Sequence, residues 1–341
     1  MRILIVGTGQ VYSIEHHYIK HLFGAGAVVS TYFASNLFYE YYQKSLVNKI
    51  VFRLGISTIY KTINIKFRRI VEYEQPDVIW VFKGMEILPE SLHWAKSRRI
   101  KLINYNPDNP FIFSGRGSGN KNVTQSIPLY DLHFTYNLSV QKRLEKEFNV
   151  KTSILPFGFD IDDYVYRLSL KEPEILRTCF LGNPDRERTA FIKAIADLGI
   201  EISVYGHDWR NFLAHPKVEI NEAVYGDALW GVLRRYRVQL NLMRVHNLDS
   251  HNMRTFEVPG IGGIMVAPET PEHVSFFENG KEAFFFRNAN ECALIINDLI
   301  QLPVERADKI RNDARDRSIK SMYSYQNRAK LALEIINNFV A

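Results

Sequence analysis

The sequence predicts an α/β protein built as two doubly wound domains in tandem. Three observations predict it. Short apolar runs alternate with helical periods along most of the 341 residues. The alternation restarts near Thr178 after a polar stretch. In each half the first apolar run ends in a glycine turn that leads into a helix. Runs that are apolar on every residue fit strands buried on both faces, and such strands joined by helices form parallel sheets.

The elements follow in order. Residues 2–6 form a strand that stops at Gly7-Thr8-Gly9, and a helix starts near Ser13, whose side-chain oxygen suits an N-cap. Residues 28–33 are a second strand, and 39–73 are mostly helical in period. Strands at 77–82, 100–104 and 131–135 alternate with helices at 89–98 and 139–148, and 151–155 closes the half. The polar stretch 161–177 reads as the interdomain linker. Strands at 178–181, 201–205, 218–220, 238–243, 264–267 and 283–286 then interleave with helices at 188–198, 228–237, 253–259 and 290–300. From Val304 the chain is helical in pattern. The expected domains are residues 1–165 and 176–320, with 321–341 a terminal helix. Ligands of such sheets bind at the carboxyl ends of the strands, so a cleft between two facing domains is the expected site.

Composition narrows the function classes. Hydrophobic residues make up 46% and charged residues 23%, which excludes global disorder. The 43 Lys+Arg against 37 Asp+Glu leave +6, spread too thinly to demand nucleic acid but suited to an anionic ligand or a membrane surface. The cysteines, Cys179 and Cys292, are far apart, which excludes a disulfide framework and a cysteine zinc site. No run approaches the ~20 apolar residues of a spanning helix. The first apolar run ends at Gly7, short of the roughly 7–15 residues of a secretory leader. A cytoplasmic protein is expected, with the basic, apolar stretch 44–69 either a solvated helical face or a peripheral contact with the inner face of a membrane.

Several segments carry candidate chemistry. Gly7-Thr8-Gly9 is either a tight turn or a place where backbone approaches a ligand; Tyr12, where a dinucleotide fingerprint needs a small residue, argues against NAD. His16, beside this turn, is a candidate base, as is Asp108 in the loop Asn106-Pro107-Asp108-Asn109-Pro110 at a strand end. Residues 114–120 are glycine-rich and read as a loop at the same edge. Gly182-Asn183-Pro184-Asp185-Arg186-Glu187-Arg188 repeats the strand–turn–helix layout with two arginines at the helix start, which suits phosphate. The most informative stretch is HNLDSHNMRTFEVPGIGGIMVA, residues 246–267. There the polar His251 and Asn252 precede a helix bearing Arg254 and Glu257 one turn apart. Arg254 with helix-start amides can hold a diphosphate, and Glu257 can accept from two ribose hydroxyls.

The block from Glu257 to Ala267 resembles the Glu-Ala-x-Ala-x-Gly-x-x-Val-Val block of GT-B glycosyltransferases. It is closest to the CgeB-like spore-maturation group within the broad group-one transferases. Residues 155–160, Phe180-Leu181-Gly182 with Arg188, Glu278-Asn279-Gly280, and residues 324–328 resemble further pieces of that fold in the expected order. The resemblance implies two Rossmann-like domains facing a cleft, an acceptor-binding N-terminal and a donor-binding C-terminal one, with the last helix crossing back to the first. It implies that Glu257 binds the donor ribose and that Asp249, where relatives carry a second acid, contacts the transferred sugar. The pyrophosphate falls to Asn183 and Arg188, with Arg186 or Arg254 standing in for the cation that Asn183 replaces. Gly9, His251, Asn252, Gly262 and Gly263 complete the expected donor contacts. The implied activity is metal-independent transfer of a sugar from a nucleotide-diphosphate sugar to a hydroxyl of a glycan, lipid-linked or protein acceptor, in building a cell-surface polysaccharide or a related product. No metal and no separate cofactor are expected. A sugar-nucleotide epimerase of the same fold and an inactive nucleotide- or glycan-binding protein are the alternatives.

Overall fold

The computed structural model describes residues 1–113 and 117–340. Ser114, Gly115 and Arg116, which open the expected loop 114–120, lie outside the described residues. The chain divides into two units, Met1–Pro156 with the residues from Ala329 onward, and Phe157–Arg328.

The first unit carries six strands: β1 (Arg2–Val6), β2 (Val28–Tyr32), β3 (Val78–Phe82), β4 (Lys101–Tyr105), β5 (Leu132–Thr135) and β6 (Thr152–Ile154). They form one parallel sheet in the order β2-β1-β3-β4-β5-β6. The second unit carries β7 (Ile175–Leu181), β8 (Ile202–Tyr205), β9 (Val218–Asn221), β10 (Tyr236–Leu240), β11 (Met265–Pro268) and β12 (Phe284–Phe286). Its parallel order is β12-β11-β10-β7-β8-β9. Every residue of β3, β5, β8 and β10 is buried, as strands covered by helices on both faces must be. In the first unit Ile63, Phe67 and Leu92 from the helices pack against Leu4, Ile79 and Leu102 of the sheet. In the second, Ile192, Ile195 and Ile296 pack against Ile202, Val204 and Val238.

The topology sets the binding edge. Chain order runs outward from β1 to β2 and then resumes at β3 on the other side of β1. It likewise runs from β7 through β8 to β9 and resumes at β10 on the other side of β7. The loops leaving β1 and β3 diverge, as do those leaving β7 and β10, so a crevice opens at the carboxyl end of each pair.

One segmentation expectation is corrected. Residues 161–177 are not an extended linker: they hold the helix Asp163–Ser169 and the start of β7, and belong to the second unit. Residues 39–73, mostly helical as expected, fall in three helices, Ala34–Lys44, Leu46–Arg53 and Ile59–Glu74. Ser45 is extended and its hydroxyl accepts from the Asn48 amide, which ends one helix and caps the next. Gly55 takes a left-handed φ of 73° before the third. Such breaks leave the apolar period intact, which is why periodicity passes over them.

The last helix, Tyr325–Val340, enters the first unit at Ala329. There the Phe339 ring lies 5.3 Å from Lys101 Nζ and 5.2 Å from Lys151 Nζ. Among the described residues no helix is long and apolar enough to cross a membrane.

Candidate functional site

In the second unit, the turn after β7 and the loop after β10 flank the crevice. Asp185 caps the helix Arg186–Asp197 by accepting from the Arg188 amide at 2.9 Å. That places Arg188 on the first turn with its side chain directed across the crevice. Its Nη2 donates to the Leu242 carbonyl, just beyond β10, at 2.8 Å, and its Nη1 to the Asn183 carbonyl at 3.3 Å. One guanidinium thereby joins the two diverging strands.

The surroundings of Arg188 are strongly cationic. It is only 9% exposed, and its Nε has no hydrogen-bond partner beyond the Asp185 carboxylate 3.6 Å away. Burial pushes its guanidinium down to about 10, and the like charges of Arg244 and Arg254 add to the effect. Arg254 Nε is also buried without a hydrogen-bond partner. Carboxylates already face two of these guanidiniums, Asp185 at Arg188 and Glu257 at Arg254. A cationic strand edge of this kind can take a multiply charged anion such as a diphosphate.

Arg254 opens the helix Arg254–Ile261 and forms an ion pair with Glu257 one turn on, a residue only 5% exposed. A scaffold joins the expected Asn252 to three residues not singled out in the sequence, Asn241, Thr255 and His273, and holds this helix start. Asn252 Nδ2 donates to Asn241 Oδ1 at 2.7 Å, and Asn241 Nδ2 to Thr255 Oγ1 at 3.2 Å. Thr255 Oγ1 lies 2.9 Å from His273 Nε2, and His273 Nδ1 lies 2.7 Å from the Pro268 carbonyl. The carbonyl can only accept, so Nδ1 carries the proton and Nε2 accepts from Thr255. Burial lowers the His273 imidazole to about 4, so it is neutral at physiological pH. The only local signal for this scaffold is a set of polar residues directly after apolar strands.

Three of the other expected donor contacts are buried: His251, Gly262 and Gly263. His251 is a correction: it is 1% exposed, its Nδ1 is 2.5 Å from Glu272, and its Nε2 accepts from the Phe157 amide at 3.4 Å. Its ring meets Phe157, Phe256 and Phe276 edge-on, so it supports the loop from within instead of reaching a ligand. Gly262 and Gly263 are likewise corrected. They sit buried at the far end of the helix from Arg254, where Gly262 ends it at φ 77°. A Cβ on Gly263 would lie 2.9 Å from the Leu233 carbonyl, so that glycine serves helix packing. Asn183 and Asp249 are exposed on the two loops that flank the crevice, and Arg186 is exposed at the start of the helix after the first of them. Asn183 Oδ1 accepts from the His207 amide at 3.0 Å, and His207 Nε2 lies 2.9 Å from the Tyr225 hydroxyl.

Gly206 is needed by close approach. A Cβ there would press into the Gly182 carbonyl oxygen, which already accepts from Trp209 Nε1 at 2.9 Å. Gly206→Ala is expected to cost about 1–3 kcal/mol of stability and to weaken anion binding with it, because the Gly182–Asn183 backbone has to move. Chemical denaturation of the variant, with and without ligand, checks both.

The first unit differs at its own glycine turn. The Thr8 amide donates to Glu15 Oε1 at 2.8 Å, and the Gly9 amide to Asn36 Oδ1 at 2.9 Å. A Cβ on Gly7 would lie 2.5 Å from Glu15 Oε1. The expected donor contact at Gly9 is thus corrected: its amide is engaged, and the neighbouring amide carries a buried carboxyl where a phosphate would sit. Burial raises the Glu15 carboxyl, as it raises that of Glu86, which accepts from Ser35 Oγ at 3.0 Å. Asp108 lies past β4 in an Asx turn, its amide donating to Asn106 Oδ1 at 3.0 Å. Its carboxylate meets Lys83 Nζ at 2.6 Å. Lys83 follows β3 in the left-handed region at φ 59°, a conformation costly for a side chain and tolerated where a residue is aimed. His16 is half-buried on the helix Ile14–Gly24.

Among the described residues no group of three or more His, Cys, Asp or Glu converges as metal ligands would. An Asp-x-Asp spacing occurs once, at Asp160 and Asp162 before the helix Asp163–Ser169.

Residues 186–334, under half of the chain, match a family model described as glycosyl transferase-like. Curated protein sequences give no match. Among solved structures the chain is similar to Anabaena Alr3699/HepE in complex with UDP-glucose, with a TM-score of 0.67 and 13% identity over 99% of this chain and 100% of that one. It is similar to sucrose-phosphate synthase from Thermosynechococcus elongatus, with a TM-score of 0.69 and 11% identity over 99% and 98%. A Listeria monocytogenes protein assigned as a UDP-N-acetylglucosamine 2-epimerase gives a TM-score of 0.58 and 12% identity over 98% and 95%. At these identities the likeness is one of fold, and the fold of this chain is the two-domain GT-B fold of glycosyltransferases.

Proposed function

We propose that the chain is a glycosyltransferase that takes a sugar from a nucleoside-diphosphate-sugar donor and passes it to a hydroxyl acceptor. The observation that carries this reading is the buried Arg188 spanning the β7/β10 crevice, within electrostatic reach of Arg244 and Arg254, with the buried Glu257 paired to Arg254. The glycosyl transferase-like match over residues 186–334, which contains all four, supports it.

In this reading the guanidiniums and helix-start amides offset the charge that grows on the β-phosphate as the glycosidic C–O bond breaks. Fixed cations supply that stabilisation, so the transfer needs no metal to hold the diphosphate. Glu257 accepts from the ribose hydroxyls, exchanging its ion pair with Arg254 for the donor while Arg254 turns to phosphate. Asp249 faces the sugar. The loop 221–227, tied through Tyr225 to His207, sets the base. The acceptor oxygen bonds to the anomeric carbon, and its proton goes to Asp108 or His16, or to the departing phosphate oxygen. Lys83 Nζ pairs with the Asp108 carboxylate at 2.6 Å. The Glu257–Ala267 block favours a CgeB-like member that works in the cytoplasm on a glycan, lipid-linked or protein acceptor for a surface polysaccharide.

A thermal-shift screen of UDP, GDP, dTDP, ADP and CMP tests the reading, with UDP first because the Anabaena relative was solved with UDP-glucose. A ligand at about 100 times its Kd stabilises by ~2.7 kcal/mol, or roughly 5–10 °C for a unit of this size. One nucleotide is expected to give that shift with the native protein and none with Glu257→Ala. No shift from any of the five overturns the transferase reading. Donor consumed without an acceptor, giving a new sugar nucleotide, replaces it with an epimerase.

A further inference from the structure

The helix Leu46–Arg53 has no buried residue along its eight positions. One face holds it to the neighbouring helices: the Phe52 ring meets Phe38 at 4.9 Å and Tyr60 at 5.6 Å, and Asn48 Nδ2 donates to the Tyr41 carbonyl at 2.7 Å. On the opposite face Leu46, Val47, Ile50 and Leu54 are 74%, 65%, 55% and 67% exposed. Their spacing of i, i+1, i+4 and i+8 puts them within about 100° of arc at 3.6 residues per turn. Lys49 and Arg53 border that stripe on the helix itself, and Lys44 and Lys61 flank it in sequence. No Asp or Glu occurs between Glu40 and Glu72, whereas seven Lys and Arg do. The result is an apolar ridge rimmed by cations without a carboxylate.

We infer that this helix lies in the surface of an anionic lipid bilayer. An apolar stripe of this width enters the headgroup boundary, and cations beside it meet lipid phosphates. Two other partners fit less well. A second copy related by a two-fold axis would bring the same cations together with no acid in the patch to pair them. A nucleic acid would meet the cations and leave the leucines and isoleucines in water. The surface binding stands apart from the donor site; only its consequence, that the acceptor is lipid-linked, rests on the transferase reading.

Flotation with vesicles tests it: phosphatidylcholine with about 30% phosphatidylglycerol, against phosphatidylcholine alone. The native protein is expected to float with the anionic vesicles and much less with the neutral ones, and to release as salt rises from ~0.05 M to ~0.5 M. The double variant Leu46→Ser, Ile50→Ser is expected to lose at least about tenfold in partitioning. Its nucleotide thermal shift should match that of the native protein, because both positions are exposed and far in sequence from the second unit. No flotation, or equal flotation of native and variant, overturns the inference whatever the nucleotide screen shows. Dimerisation by light scattering that the variant abolishes, without vesicle binding, assigns the face to a second copy instead.

Discussion

Arg188→Ala is expected to weaken binding of the nucleoside diphosphate by about 100-fold or more. A charge-assisted hydrogen bond contributes about 1.5–3 kcal/mol, each 1.4 kcal/mol is a factor of ten, and a buried guanidinium facing a diphosphate makes more than one such bond. The same substitution leaves the Leu242 carbonyl without the donor that now sits 2.8 Å away, so some of the loss comes from the loop after β10 moving. Arg188→Lys separates the two effects. It keeps a charge near the site but not the fork that reaches Leu242 and Asn183 together. Lysine is therefore no conservative stand-in here: the Arg188→Lys protein should keep part of the anion affinity yet melt below the native protein. Titration calorimetry with the nucleotide found by the screen reads the affinities. A native-like Kd for Arg188→Ala would remove the crevice between β7 and β10 as the donor site.

Glu174→Ala is expected to destabilise the second unit by about 3 kcal/mol or more, near 10 °C in its melting transition. Glu174 stands just before β7 and accepts from Arg237 Nε at 2.7 Å and Nη2 at 2.6 Å, and also from Arg311 Nη2. Arg237, within β10, is 1% exposed, and Arg311, on the helix Val304–Lys320, is 3% exposed. Removing the carboxylate leaves two buried guanidiniums facing each other. Arg237 keeps the Leu302 carbonyl at 2.7 Å and Arg311 keeps Asp308 at 3.0 Å, which limits the loss without cancelling it.

The pH dependence gives a second reading of the same group. Burial alone would raise the Glu174 carboxyl; the hydrogen bonds and charges of Arg237 and Arg311 outweigh it and hold the carboxyl at about 2, below its ordinary 4.5. Between those values the unfolded chain binds the extra proton, so stability rises with pH there. The contribution is complete above about 4.5 and is lost as pH falls through about 2. His273, held at about 4 against an ordinary 6.5, adds to the same trend: the unfolded chain takes the proton first, and stability falls as pH drops from 6.5 toward 4. Melting of the second unit followed from pH 7 to pH 3 should fall less steeply for Glu174→Gln than for the native protein below pH 4.5. Equal slopes would show that the three side chains are not coupled.

The strands were legible because their signal is local. Val78 to Phe82 is apolar at every position and is buried at every position in β3. The turn after β7 and the arginine on the following helix were legible for the same reason, since a strand, a glycine and a helix start are adjacent in the chain. The breaks between the three helices within residues 34–74 were not, because Ser45 and Gly55 interrupt the backbone without interrupting the apolar period. The glycine turn at Gly9 looked like an anion site for want of one fact: Glu15 and Asn36 fold back onto its amides.

Polar partnership is where local pattern stops. Arg188 meets a carbonyl 54 positions away, and Glu174 meets arginines 63 and 137 positions away. Apolar periodicity along the chain was enough to specify two parallel sheets with glycine turns at their binding edges, because burying an apolar side chain needs no particular partner. Only the strand order, with β10 returning to the side of β7, decided which cations share one crevice, that His251 supports the loop from inside, and that Gly262 and Gly263 serve packing. Hydrogen bonds and ion pairs require one atom at one distance, and those distances exist only once the chain has folded.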